Sequence, residues 1–361
     1  MKSPLPLLTA AVLLLTGAAK AQWQSTTYAL KGGWCSIYLS GNANHDTLDN
    51  IFPASVTEVW RWNPNPDQVQ FTESPLIPSA GTPEWSVWKR GKPLESNLSE
   101  LLGGAGYLVK SSGSSDNTYT VTIKQAPQPP SAKWVRNGAN LMGFPTFKNG
   151  ANYPTIASYF STFPAAIAAN SKIYRYNGGD LGPNNPIQVF STATERLDRT
   201  QAYWFSAEVV ENFYAPLEIE VSNSGGLDFG RSGSTMTVRI RNRSNAVVTA
   251  KLSAANSEVS PNGQTAITGA VPLTRRLFNP VTLTWTETPL TTYNEAIPPV
   301  STVELHFGID RTLMTGSGDA YYASFLRIAD TGNLMDVQLP VRARKASWAD
   351  RKSTRLNSSH T

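Results

Sequence analysis

Between residues 33 and 205 a pattern of glycines, aromatics and turns occurs twice, and a chain built on two copies of one unit has few folds open to it. Copy one opens on Gly33-Trp34-Cys35-Ser36-Ile37-Tyr38-Leu39. Copy two opens on Gly138-Ala139-Asn140-Leu141-Met142-Gly143-Phe144-Pro145. Each opening is a short apolar strand behind a glycine. Each copy then passes through a segment ending in Phe-Pro, 48–53 and 156–164. The second segment is apolar at Ile156, Tyr159, Phe160 and Phe163, the spacing of one helical face. Val59-Trp60-Arg61-Trp62-Asn63 is matched by Ile173-Tyr174-Arg175-Tyr176-Asn177, and turns follow at Asn63-Pro64 and Asn177-Gly178-Gly179. Further strands are expected at 85–88 and 187–190. Each copy closes on a leucine, a turn and an aromatic strand, from Leu102 to Val109 and from Leu197 to Phe205.

The chain therefore reads as mainly β, with two tandem small β-rich modules, each with one short helix: copy one over 22–125 and copy two over 132–212. Residues 119–123 alternate and add a last strand to copy one. Pro127-Gln128-Pro129-Pro130 makes 126–131 a stiff linker poor in backbone donors. These motifs resemble the Trp/Gly-patterned β modules of bacterial secreted and surface proteins, which open on a Gly-Trp-Asn strand and close on a Gly-x-Gly-Tyr-Trp strand. The resemblance spans about residues 30–208. It departs at Cys35, where Asn is usual, and at Gly138-Ala139-Asn140. It implies no catalytic residue.

From about Ala215 strict alternation takes over. Met236, Val238 and Ile240 share one face, as do Val248, Ala250 and Leu252; Val281, Leu283 and Trp285; Val303, Leu305 and Phe307; and Val337, Leu339 and Val341. Period-two strands separated by turn signals at 223–226, 261–263 and 331–333 predict an immunoglobulin-like β-sandwich over 215–345, with about seven strands. Leu227-Asp228-Phe229-Gly230 followed by Val238-Arg239-Ile240-Arg241-Asn242 resembles the opening of bacterial immunoglobulin-like domains. That resemblance implies a spacer or adhesive module.

The two ends read differently from the body. Lys2, the apolar run 5–15 and Ala19-Lys20-Ala21 form a secretory signal peptide over 1–21, with cleavage after Ala21. Its apolar run is too short for a permanent membrane span. Residues 350–361 resemble the in-frame translation of a common short-read sequencing adapter. That implies a gene assembled from environmental reads and a native sequence interrupted after about Ala349. The formal charge of +5 owes two units to Lys2 and Lys20, and two more to Arg351, Lys352 and Arg355 against Asp350, leaving +1. A nearly neutral body gives no electrostatic footprint for nucleic acid, and none is expected as a partner.

Chemistry-bearing patterns are sparse. Cys35 is the single cysteine, so no intrachain disulfide can form, and it reads as a small buried hydrophobe in a strand. His45 and His306 have no His or Cys at ligand spacing, and no metal or cofactor is expected. No G-x-S-x-G, H-E-x-x-H or phosphate-loop motif occurs. A dispersed carboxylate pair among Glu84, Glu95, Glu100, Asp180 and Asp198 cannot be ranked, and Asp310, Asp319 and Asp330 read as turn caps before calcium ligands. The chain is expected not to be an enzyme.

Eight of the ten tryptophans fall between Trp23 and Trp204. Trp60 and Trp62 share a strand face, as do Tyr174 and Tyr176, and either pair could stack sugar rings. The same spacing suits the core of a small module, which the high average burial of these residues favours. Trp85 and Trp88 differ in parity, so one of them is expected to face solvent or a neighbouring module. These six are the candidate ligand residues. The functional expectation is a secreted or cell-surface binding or spacer protein, the N-terminal portion of a longer extracellular chain, partnered by a surface protein or a glycan. The alternative is a carbohydrate-binding accessory region of a polysaccharide-acting protein.

Overall fold

The structure is a computed structural model, and it describes residues 22–63, 78, 81–136, 138–208 and 211–346. The expected signal peptide and the adapter-like tail lie outside the described residues. The chain is mainly β, and among the described residues twenty-one strands form five sheets.

The first copy contains β1 (Gln24–Lys31), β2 (Gly33–Leu39), β3 (Gly41–Asn42), β4 (Val56–Trp62), β5 (Trp85–Lys89), β6 (Ala105–Ser111) and β7 (Thr118–Pro127), with one helical turn, α1 (Leu48–Ile51), before β4. Its central antiparallel sheet runs β2-β6-β4-β5. The second copy contains β8 (Ala139–Met142), a helical turn α2 (Ile156–Tyr159), β9 (Lys172–Arg175), β10 (Ile187–Gln188) and β11 (Tyr203–Ser206), in a sheet running β8-β11-β9-β10. Taken in chain order, the two sheets have one topology, and the repeat read from sequence is a repeat of fold. Threonines 47 and 155 precede the two helical turns in the same extended conformation, and the Thr155 side chain accepts from Ser158 N–H.

Strand register fixes the equivalences. Ile37 lies opposite Tyr107 as Met142 lies opposite Tyr203, and Trp60 lies opposite Leu108 as Tyr174 lies opposite Trp204. Trp34 therefore corresponds to Ala139, Ser36 to Leu141, Tyr38 to Gly143 and Gly106 to Ala202. The two sheets pack face to face, and equivalent positions meet. A Cβ on Gly143 would lie 2.1 Å from Tyr38 Cγ, and one on Gly106 would lie 2.9 Å from Ala202 Cβ. Ser36 Oγ donates to the Ala202 carbonyl, while Gly106 lies against Leu141, the partner expected by exchange of the copies. This reciprocity is the signature of a two-fold interface, here within one chain. Large residues in one copy face small ones in the other, so the layer fills without overpacking.

The sandwich follows. One sheet is built from β12 (Leu217–Val221), β14 (Thr235–Asn242), β19 (Thr302–Ile309), β16 (Leu273–Asn279) and β17 (Thr284–Pro289) in that order. The other is built from β13 (Leu227–Asp228), β21 (Asp336–Arg344), β20 (Tyr321–Asp330), β15 (Val248–Asn256) and β18 (Thr292–Ile297). β13 runs parallel to β21, and all other pairings are antiparallel. This is the predicted immunoglobulin-like sandwich, with ten strands in place of about seven. The Leu-Asp-Phe-Gly motif has a structural reason. Phe229 is buried, and the Arg311 guanidinium donates to the carbonyls of Phe229 and Gly233, pinning the crossover.

The core of the second copy is continuous with that of the sandwich: Phe144, Tyr159, Phe160 and Phe205 belong to one cluster with Phe213, Leu217, Ile240 and Leu326. The first copy has its own core between its central sheet and the β1–β7 pair. The expected linker is not a free spacer, because β7 runs to Pro127 and pairs there with Gly41.

Candidate functional site

The structure gathers the six aromatic candidates, but into interior layers. Trp60, Trp62, Trp85 and Tyr176 are buried with Trp34 and Trp204 between the two copies, and Tyr174 packs against this cluster. Ring centroids stand 5.1 Å apart for Trp62–Trp85 and 5.3 Å for Trp62–Trp204, both edge to face. Trp88 points to the opposite face of its strand, where it stacks on Phe52 at 6.1 Å inside the core of the first copy. The parity difference between Trp85 and Trp88 is real, yet both faces of the sheet are covered. The indole N–H groups find protein partners: Trp62 Nε1 donates to the Ala139 carbonyl (3.0 Å) and Trp204 Nε1 to Tyr176 Oη (3.1 Å). The rings of Trp85, Trp88, Trp60, Trp62 and Tyr176 are closed to a sugar and Tyr174 is partly covered beside them, so the stacking platform expected at these six is corrected to an internal aromatic core.

Other chemistry-bearing residues serve the fold. Cys35 is buried in β2, and its Sγ accepts from Lys31 N–H and donates to the Lys31 carbonyl. Asn140, at the equivalent place, accepts from Val135 N–H and donates to the Val135 and Phe205 carbonyls. The thiol thus does weakly what Asn140 does well in the second copy. Burial raises the Cys35 pKa, which disfavours the thiolate. The turn aspartates are caps or ion-pair partners: Asp310 accepts from Thr312 N–H, Asp330 from Leu334 and Met335 N–H, and Asp319 pairs with Arg231 and Arg344. Among the described residues, no group of three or more His, Cys, Asp or Glu comes together. His45 rests edge-on against Trp23, and His306 lies on the outer face of β19, 5.0 Å from Trp285.

The best candidate for outward contact is one that alternation concealed. Val281 and Leu283 were expected inside a strand with Trp285. Instead β17 begins at Thr284, and the two aliphatics occupy the turn of the β16–β17 hairpin, 89% and 74% exposed. Behind them Phe278 and Trp285 form a cross-strand pair, centroids 5.3 Å apart and both about half exposed. One step further back Arg276 pairs with Glu287 (2.8 Å), and Arg275 stacks on Tyr293. A cleft of about 220 Å³ lies between this ribbon and β19. Two more exposed aliphatics share this end of the sandwich. β14 ends at Asn242, β19 begins at Thr302, and β16 and β17 meet at the turn. The adjacency β14-β19-β16-β17 therefore sets the loops carrying Val247 and Val300 beside the hairpin. The buried Asn242 side chain ties these loops together by donating to the Ala246, Ile297 and Pro298 carbonyls.

The repeat body also reaches this end of the sandwich: the Phe147 N–H donates to the Leu334 carbonyl in the β20–β21 turn of the other sheet, and Arg243, just past β14, pairs with Glu211. Phe147 faces Arg327 on β20, Arg199 pairs with Asp336 on β21, and Lys124 donates to the Val259 carbonyl. No helix among the described residues is long and apolar enough to cross a membrane.

Compared with known protein families and with characterised proteins, the chain matches none. Among solved structures it resembles the E. coli chaperone DraB (7% identity, TM-score 0.22, covering 37% of this chain and 56% of that one). It also resembles a Salmonella enterica SafA pilin in complex with the SafB chaperone (10%, 0.22, 39% and 58%) and the CooA pilin of enterotoxigenic E. coli (12%, 0.22, 37% and 98%). The match spans little more than half the length of the first two. Likeness of this depth bears on neither the partners nor the activity of this chain.

Proposed function

We propose that this chain is a secreted or cell-surface protein that works by binding, with the repeat body as a rigid support and the sandwich as the presenting module. The observation that carries the reading is the concentration of exposed apolar side chains at one end of the sandwich, on the β16–β17 hairpin and the loops beside it. Monomeric proteins rarely leave such patches without a contact to make. The candidate tryptophans of the repeat, Trp60, Trp62, Trp85 and Trp88, are by contrast committed to internal cohesion, which takes the platform away from the glycan reading. Retention of the labelled chain 22–346 can be measured on three immobilised surfaces: insoluble cellulose, a supported phosphatidylcholine bilayer, and a layer of the same protein. Retention on at least one, lost when Val281 and Leu283 are both replaced by Ser, is the expected result. Absence of retention on all three, or retention indifferent to the double replacement, overturns the reading.

A further inference from the structure

The hairpin end has features that separate one kind of partner from another. Its apolar groups are not confined to one side. Phe278 and Trp285 share the outer face with Arg276, while Leu277, one residue away, must point to the opposite face, and both faces are exposed. The registered pairing of β16 with β19 stops at Arg276 opposite His306; beyond it Trp285 rests edge-on against the His306 ring at 5.0 Å, a cleft separates the ribbon from β19, and the turn at Val281 and Leu283 is open to solvent. A protein groove would cover one face of such a ribbon; an apolar medium would surround it.

The groups are also layered along the ribbon: aliphatic at the turn, then the Phe278–Trp285 pair, then arginines about 7 Å further back at the rise of a strand. Aliphatic tip, aromatic girdle and a polar base, here the Arg276–Glu287 ion pair, is the order in which side chains distribute across a bilayer interface.

The turn is prepared for desolvation. Asn279 Oδ1 accepts from Val281 N–H (2.9 Å) and Thr282 N–H (3.2 Å), and the Thr282 and Thr284 hydroxyls bond each other at 2.7 Å. Backbone donors that would otherwise require water are satisfied within the loop, which removes much of the cost of burying it.

Leu283 adds an independent observation. Its φ of 53° lies in the left-handed region, where glycine or asparagine fits without strain, yet a leucine stands there with its side chain in solvent. Val300 in the neighbouring loop repeats the pattern at φ 48°. The turns require this backbone at both positions, but the exposed side chains that stand there in place of glycine do not pack in the core, which points to a role for them outside it.

We propose that the β16–β17 hairpin is a lipid-docking element that seats its tip in the interfacial layer of a membrane, assisted by the Val300 loop. The proposal rests on the binding reading above and names its partner as a bilayer surface. Because Arg276 is paired with Glu287 and Arg275 lies near Glu295, attachment is driven by apolar burial and depends little on lipid charge.

The test is flotation of the chain 22–346 with vesicles of phosphatidylcholine alone and of phosphatidylcholine mixed with phosphatidylglycerol. Quenching of Trp emission by lipids brominated along the acyl chain is read in parallel. Co-flotation with both vesicles, persisting at high salt, is expected, with quenching that disappears in Trp285→Phe. Leu283→Gly removes the side chain at a position glycine prefers, so its Tm should not fall, while its partition weakens about tenfold or more, the worth of one buried leucine. Flotation only with anionic vesicles and abolished by salt, or partition unchanged in Leu283→Gly, overturns the proposal. Retention on cellulose or on the protein layer through this hairpin, with no flotation, overturns the lipid assignment and leaves the binding reading standing; failure on every surface and every vesicle removes both.

Discussion

Two tyrosines show how much of the fold rests on single residues. Tyr107 Oη accepts from Leu102 N–H (2.7 Å) and donates to the Leu102 carbonyl (3.0 Å). Tyr203 Oη accepts from Asp198 N–H (3.0 Å) and donates to the Arg196 carbonyl (3.0 Å). The closing turn of each copy is thus latched by the equivalent phenol, and the equivalence pairs Leu101, not Leu102, with Leu197. Tyr107→Phe and Tyr203→Phe should each cost about 1–3 kcal/mol, because each leaves turn groups without their partner. Denaturant midpoints with unchanged slopes are the check, and a neutral result in either variant would remove that latch. A pH effect belongs to the same scale. Burial raises the Tyr107 and Tyr38 pKa values to about 12. An unfolded chain ionises its tyrosines near pH ~10, so it loses protons that the native state keeps. The contribution of these tyrosines to stability is therefore whole below about pH 10 and is lost as pH rises through the window to about 12. Phenolate absorbance and far-UV circular dichroism followed in one alkaline titration should change together. Complete phenolate formation in a chain that keeps its sheets would contradict the burial of these rings.

At the scale of elements, legibility in the sequence followed how each strand is covered. The four strands of each copy's central sheet announced themselves through matched segments, most sharply the aromatic-Arg-aromatic-Asn of β4 and β9, because the same register demands the same residues twice. β14, β15, β19 and β21 announced themselves by alternation. β20 did not, because it is buried along nearly its whole length, so its sequence is an apolar run without a period. The hairpin misled in the opposite sense: Val281, Leu283 and Trp285 alternate as a buried strand would, but period two reports extended backbone and says nothing of what covers it. The aromatic candidates were legible as pairs and illegible as a site, since one sheet face reads the same toward a sugar or a second sheet. Trp88 is the sharpest case. With its ring on Phe52 inside the first core, Trp88→Ala should lower stability by about 3–5 kcal/mol. A loss below about 1 kcal/mol in chemical unfolding would mean that this ring is open to solvent after all.

At the scale of the whole molecule, the arrangement of cores sets the order of cohesion. The second copy is bound into the sandwich through a continuous core, whereas the first copy meets the second across the tryptophan layer. That layer is divided by sequence: Trp34, Trp60, Trp62 and Trp85 come from the first copy, and Trp204, Leu141 and Tyr176 from the second. Severing the chain within 128–131 leaves each fragment with one uncovered wall of a close-packed aromatic core, a surface of the kind that drives association. Fragments 22–131 and 132–346, expressed apart, should therefore expose tryptophan to water and emit at longer wavelength than the intact chain. Mixed at equal concentration, they should reassociate into a 1:1 complex that recovers the short-wavelength emission. Gly143 sits directly under the Tyr38 ring, and Gly143→Val in the second fragment should prevent that recovery, because its side chain occupies the space the ring needs. Fragments that remain separate monomers with the emission of the intact chain would show that the tryptophan layer is not the joint between the copies.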